Sequence, residues 1–391
     1  MPRPSRRPRE RIGDEVDLPL GPPGPERKGR KRHAAASRRG YSTSCPRSAR
    51  HRIVPHPGRP GVKLSAFTIV DEYPPGPGAT PDRARDVLRL AEAAEASGLA
   101  ALWVAEHHFH AGGVCPAPPV LLAACGARTR RLRLGVLVSV LPFHRPVELA
   151  EQYALLDRLI DGRLNLGLGS GYLAAEFEGF GIDPETKRAR FEEALATLLR
   201  AFDGAEVQVD PPRSAPVRIN VRPVQRPHPP LWVAAQRREA IPHVARLGRS
   251  LALIPYATLA NPSELGEEIR EYRAALPPGR TGEVAAALHL YAGPHPERAR
   301  AALQRYLDSR LATQSTFYRA KVEHDPRLGR AEAIEEAGFA LLGTPADVAR
   351  RLRGFADLGL DEVLGIFDFG GLPPDEVAAS VQALAAAYGG V

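Results

Sequence analysis

The chain has 391 residues, 43% of them hydrophobic, enough for one large domain with a full core plus a tail. Its formal net charge of +8 suggests nucleic acid only until the charge is located: residues 1–60 hold 16 Lys/Arg and 5 Asp/Glu, whereas residues 61–391 hold 37 and 40. The basic excess therefore belongs to the tail, and neither a nucleic-acid nor a membrane partner is expected of the rest.

Residues 1–61 are rich in Pro, Arg, Gly and Ser and show no periodicity, so a disordered basic tail is expected there. The stretch has no apolar core for a secretory signal, and its prolines spoil an amphipathic transit helix. Met1 is the sole methionine, which suggests that the natural product starts near Val62 and that the tail is translated leader. The cysteines, Cys45, Cys115 and Cys125, lack CxxC spacing. Such a sparse, odd set points to a reducing, cytoplasmic compartment rather than a disulfide frame or zinc site. No apolar run approaches the ~18 residues of a membrane span.

From residue 62 the pattern alternates strand and helix. Residues 62–70 form an apolar strand. Thr80-Pro81-Asp82 reads as an N-cap with proline at the first helical position, opening a helix that Gly98 closes. Residues 101–105 are a second strand, 118–128 a short helix and 132–141 a long strand. A helix over 146–160 ends at Asp161-Gly162, and strand 164–168 runs into Gly169-Ser170-Gly171-Tyr172. Residues 187–202 form a helix. Residues 203–230 are a Pro-rich insertion with short strands expected at 205–209 and 217–221. Strands follow at 231–235, 250–255, 283–292 and 361–367, with helices at 238–247, 262–275, 296–311, 345–358 (capped by Thr344) and 373–388. Residues 312–336 read as an irregular lid. Eight buried strands alternating with helices predict a parallel sheet closed into a (β/α)8 TIM barrel over residues 62–391, with a doubly wound open sheet as the runner-up. No GxGxxG or GxxxxGK[ST] fingerprint occurs at a strand–helix junction.

The chemistry concentrates in Glu106-His107-His108-Phe109-His110, where a buried strand passes straight into a carboxylate and three imidazoles. Such strand ends line the mouth of a barrel. Adjacent residues of extended chain point opposite ways, and the HExxH pair is absent, so acid–base work by one histidine is favoured over a metal site. His108 should then point away from His107. The glycines of 167–171 would let backbone N–H groups approach an anion, and Ala235-Gln236-Arg237-Arg238, entering a helix, would suit a phosphate.

Trp103 to Phe109, Leu134-Gly135 to Leu141-Pro142 with His144-Arg145-Pro146, and Leu156-Asp157-Arg158 to Gly169-Ser170-Gly171-Tyr172 together resemble the bacterial luciferase-like flavin monooxygenases. Glu176-Phe177, Phe180-Gly181-Ile182, Arg190 to Glu193, Pro229 to Ala235 and Gly343-Thr344-Pro345 extend the likeness over residues 62–388. The resemblance implies a (β/α)8 barrel binding reduced FMN, or in one branch the deazaflavin F420, at its C-terminal mouth. It implies that His107 is the active-site histidine near the flavin ring, and that Leu137-Val138 is a non-proline cis peptide against that ring. Glu106, Gly169, Ser170, Gly171, Tyr172, Ala235, Gln236, Arg237 and Arg238 become candidate cofactor contacts. Ser170 departs from the arginine of luciferase itself, and Gln236-Arg237-Arg238 stands where many members have serine. The expected activity is oxygenation of a small organic substrate by O2, with a separate flavin reductase as partner and a homodimer as the assembly. Hydride transfer with F420, or flavin binding without catalysis, are the alternatives.

Overall fold

A computed structural model describes residues 61–73, 82–110, 112–209, 213–313 and 316–389. The expected tail, residues 1–60, lies outside the described residues, as do Thr80 and Pro81. Nine strands are seen among the described residues: β1 (Lys63–Thr68), β2 (Ala101–Val104), β3 (Arg133–Val140), β4 (Leu164–Gly169), β5 (Leu231–Ala235), β6 (Ser250–Leu253), β7 (Val284–Ala292), β8 (Ala340–Gly343) and β9 (Glu362–Ile366). Every pairing between them is parallel. Strands β1 to β6 pair in sequence, β6 pairs with β7, β7 with β9 and β9 with β1, which closes an eight-stranded barrel. β8 adds to the far end of β7, from His289 to Ala292, and the β9 pairing ends at that same His289. Closure explains why these strands read as unbroken apolar runs: one face fills the barrel and the other meets helices. Trp103 on β2 and Trp232 on β5 meet edge to face at 5.4 Å across the interior, and the Trp103 indole N–H donates to the Glu362 carboxylate at 3.0 Å.

The outer layer contains α1 (Arg83–Ala96), α2 (Pro118–Arg128), α3 (Pro146–Leu159), α4 (Ala174–Gly179), α5 (Lys187–Asp203), α6 (Ile241–Arg246), α7 (Pro262–Ala274), α8 (Pro296–Thr313), α9 (Thr316–His324), α10 (Ala331–Glu336), α11 (Pro345–Arg353) and α12 (Pro374–Gly389). The cap of α1 is Asp82, whose side chain accepts from the Arg85 N–H, and Thr344 caps α11 as expected. None of the described helices is long and apolar enough to cross a membrane.

Three expectations need correction, and two elements went unread. Residues 312–336 hold α9, a 3-10 turn at Pro326–Gly329 and α10 rather than irregular chain. Their polar outer faces hid an apolar stripe: Tyr318, Ala331 and Ile334 are buried. The two short strands of the insertion reduce to one antiparallel bridge, Val207 with Val217. Asp157 anchors the insertion instead, accepting from the backbone N–H groups of Val224 and Gln225. The helix expected over 238–247 begins as a 3-10 turn at Arg238–Ala240, and α6 itself has six residues. Finally, α4 and β8 had no periodic signal, each being too short for one.

Candidate active site at the barrel mouth

His107 leaves the C-terminal end of β2 and is 7% exposed. Its ring packs under Gly113, where a Cβ would fall 2.6 Å from the His107 side chain, so only glycine lets residues 112–115 fold back this closely. Its Nδ1 is 2.9 Å from Oε1 of Glu176, on α4. The same oxygen takes the His108 backbone N–H at 2.9 Å and His110 Nε2 at 3.3 Å. Burial alone would raise the Glu176 carboxyl, but these donors overcome it and hold it at about 2. An ionised carboxylate only accepts, so His107 carries its proton on Nδ1. Burial pushes the His107 pKa down against the pull of Glu176, leaving a neutral ring. Nε2 is then the unprotonated acceptor of the ring. A carboxylate that fixes the tautomer and an unprotonated ring nitrogen are what a positioned general base requires.

Glu106 anchors a second knot. Its carboxylate accepts from Ser139 Oγ at 2.9 Å, His144 Nε2 at 2.8 Å and His108 Nε2 at 3.2 Å. Burial opposes ionisation here too, and the hydrogen bonds from His108, His144 and Ser139 outweigh it. His107 and His108 thus take different carboxylates, as the alternation of extended chain dictates. The His108 ring packs against Phe180 at 4.8 Å and Phe143 at 5.9 Å. Ligand atoms of His107, His110 and Glu176 lie within 4.8 Å of one another. Two hydrogen bonds, from His107 Nδ1 and His110 Nε2 onto one Glu176 oxygen, account for that convergence.

The Leu137-Val138 peptide is cis, as the resemblance implied. The register between β3 and β4 shifts between Val136 and Ser139, so β3 bulges there. Gly167 and Gly169 of β4 make room for the bulge: a Cβ would meet the Val136 carbonyl oxygen at 2.4 Å at the first position and Val138 Cγ2 at 2.4 Å at the second. These glycines therefore serve close strand packing. Val138 is only partly buried between buried neighbours, an apolar ledge at the mouth. Gly171 has φ +77°, and the Tyr172 ring beyond it meets His107 edge-on at 6.2 Å.

Ala235 ends β5, the next strand around the rim, and Gln236, Arg237 and Arg238 follow it. Arg237 and Arg238 are exposed. The Arg238 guanidinium is engaged by Glu271 at 2.9 Å and Glu267 at 3.4 Å on α7. The structure thus brings Glu106, His107, Val138, Gly169 and Tyr172 together, and places the 235–238 segment on the adjoining rim. Sequence reasoning missed Glu176, Ser139 and His144 as site residues, although all three stood inside the quoted motifs.

Residues 65–362 match the family described as luciferase-like monooxygenase. The chain is 38% identical over 196 residues to the uncharacterized protein y4wF of Sinorhizobium fredii, covering 50% of this chain and 57% of that one. It is 30% identical over 159 residues to the oxygenase component of a flavin-dependent trigonelline monooxygenase from Acinetobacter baylyi, 39% and 43% of the two chains. The chain spans about half the length of the curated relatives it matches. Among solved structures, monooxygenase RslO1 of Streptomyces bottropensis superposes with a TM-score of 0.70 at 27% identity, covering 83% of this chain and 98% of that one.

Proposed function

The chain belongs to the luciferase-like monooxygenase family, and on that premise we propose that it is a flavin-dependent monooxygenase that uses reduced FMN and O2 on a small organic substrate. The Glu176–His107 pair beside the β3 ledge carries this reading. A flat ring system with a polar edge fits that place: Val138 offers an apolar surface, and His107 Nε2 offers an acceptor next to it. The residues that would hold the cofactor are Glu106, Leu137, Val138, Gly169 to Tyr172, and Ala235 to Arg237 for its phosphate, with Arg238 contributing only if it releases Glu271 and Glu267. Reduced flavin, when bound, supplies the electrons for oxygen activation. His107 would accept or return a proton at Nε2, while Glu176 holds the ring in its Nδ1–H tautomer. Phe143 and the buried Phe177, packed edge to face at 4.9 Å, would shield the network from water.

A separate reductase would deliver the reduced flavin, a reading supported by the relative named as an oxygenase component. We assign a homodimer to the face carrying Leu155 and Leu159. The test is anaerobic titration of the purified protein with reduced FMN and with reduced F420, followed by admission of O2. Tight binding of reduced FMN and an oxidation trace altered by the protein are expected. Preference for F420 would move the protein to hydride transfer, and FMN binding with an unaltered trace would make it a non-catalytic flavin binder.

A further inference from the structure

A second cluster of buried polar groups lies on the same rim, on the side of β1, β7 and β9, and the acid–base network does not use it. Its centre is Arg310 on α8, 4% exposed. All three guanidinium nitrogens are buried and none makes a hydrogen bond among the described residues. Nη2 lies 3.2 Å from Oδ1 of Asp71, three residues past β1. That is close enough for Coulomb attraction but misdirected for a hydrogen bond, since the Asp71 oxygen is unbonded as well. The guanidinium lies over the Tyr306 ring at 5.1 Å, and the Tyr306 hydroxyl is committed to Tyr256 at 2.6 Å. His289, fully buried on β7, packs edge-on against both tyrosine rings at 4.8 Å, and neither of its ring nitrogens is bonded. Burial and then the Arg310 charge hold the His289 pKa down at about 3, so this ring is neutral and keeps one N–H.

A guanidinium cannot shed its charge, and it presents five donors in a fixed fork. Buried donors left unmet are costly, and a buried charge with one partner and no hydrogen bonds more so. Asp71 balances the charge without satisfying the donors. Asp71 Oδ1 is near but misaligned and the guanidinium donors stay unmet, so what the fork lacks is a correctly placed pair of acceptors. Two coplanar acceptor oxygens match two parallel N–H groups of the fork, which is the geometry of a carboxylate. The Arg310 charge also acts on His107 and on Tyr172, so a group held there lies within electrostatic reach of the candidate base.

We propose that Arg310 is a substrate-recognition residue that receives a carboxylate of the substrate at the barrel mouth, in place of its ion pair with Asp71. The assignment rests on the barrel mouth being the active site, as proposed above, but its test needs no cofactor. The cofactor-free full chain is titrated with acetate, butanoate and benzoate, each against its amide, at constant ionic strength, by calorimetry and thermal shift. At least one acid should bind at least tenfold more tightly than its amide. Arg310→Gln should abolish that preference. Asp71→Asn, which removes the competing anion at constant shape, should tighten acid binding several-fold, and it serves as the reading if Arg310→Gln does not fold. No binding of any acid, equal binding of acids and amides, or a preference that survives Arg310→Gln overturns the proposal. So does loss of reduced-FMN binding in Arg310→Gln with the acid preference intact, which would give the guanidinium to the cofactor. Failure of the wild-type chain to bind any flavin, with the acid preference present, would sink the proposed function and leave this inference standing.

Discussion

At the residue scale the decisive feature is one carboxylate oxygen that orders three neighbours. Glu176 sits at about 2 in the fold against an ordinary value of 4.5, a depressed acid. Its contribution to stability is therefore complete above about pH 4.5 and is lost as the pH falls through 2, on the order of 3 kcal/mol in all. Glu176→Gln should flatten the acid limb of a stability-versus-pH curve in that window while lowering stability at neutral pH; a limb as steep as that of the wild type would contradict the assignment. His107→Ala should leave the fold and most flavin binding in place and slow turnover about 10²–10⁴-fold, the usual size of a positioned acid–base contribution. His108→Ala should cost less turnover and more stability, because its ring is packed among phenylalanines and bonded to Glu106. Single-turnover oxidation and thermal melts on both variants separate the two roles, and the reverse pattern would exchange them.

At the element scale the β3 bulge and the two glycines of β4 are one device. A methyl group at position 167 would press on backbone, the Val136 carbonyl oxygen, which cannot move without breaking the ladder. At position 169 it would press on Val138 Cγ2, a side chain with a half-open face. Overpacking of this kind costs about 1–3 kcal/mol. Gly167→Ala should therefore destabilise more than Gly169→Ala in urea melts, whereas Gly169→Ala should perturb flavin binding at a smaller loss of stability. Equal losses in both would show that the bulge shifts as easily as a side chain does.

At the scale of the whole molecule, the barrel leaves Leu155 51% and Leu159 62% exposed one turn apart on α3, while the rest of that helix's apolar residues are buried. Covering each leucine is worth about 1.5–3 kcal/mol, so the homodimer assigned to this face should respond to them. Sedimentation should give a dimer for the wild type and a monomer for Leu155→Asp/Leu159→Asp; a wild-type monomer, or a dimer that survives both changes, would place the interface elsewhere or remove it. Cys115 and Cys125 should stay inert to thiol reagents in the folded chain, since burial pushes both thiols up to about 12.

Much of the architecture was legible in the chain itself. Strands buried on both faces must be continuous apolar runs, and their alternation with capped helices leaves few ways to close a parallel sheet. His107 was legible too, because a strand that ends in titratable groups is a local signal. The tertiary structure alone decided who partners them. Glu176 reaches His107 from α4, 69 residues on, Ser139 and His144 reach Glu106 from 33 and 38 residues away, and Arg310 meets Asp71 from the opposite end of the domain. It also decided that the glycines of β4 accommodate a bulge, which in sequence had the look of an anion loop. Periodicity records which face of an element is buried. It carries no information about which polar groups closure brings within 3 Å of each other, because that depends on the positions of all eight strands at once.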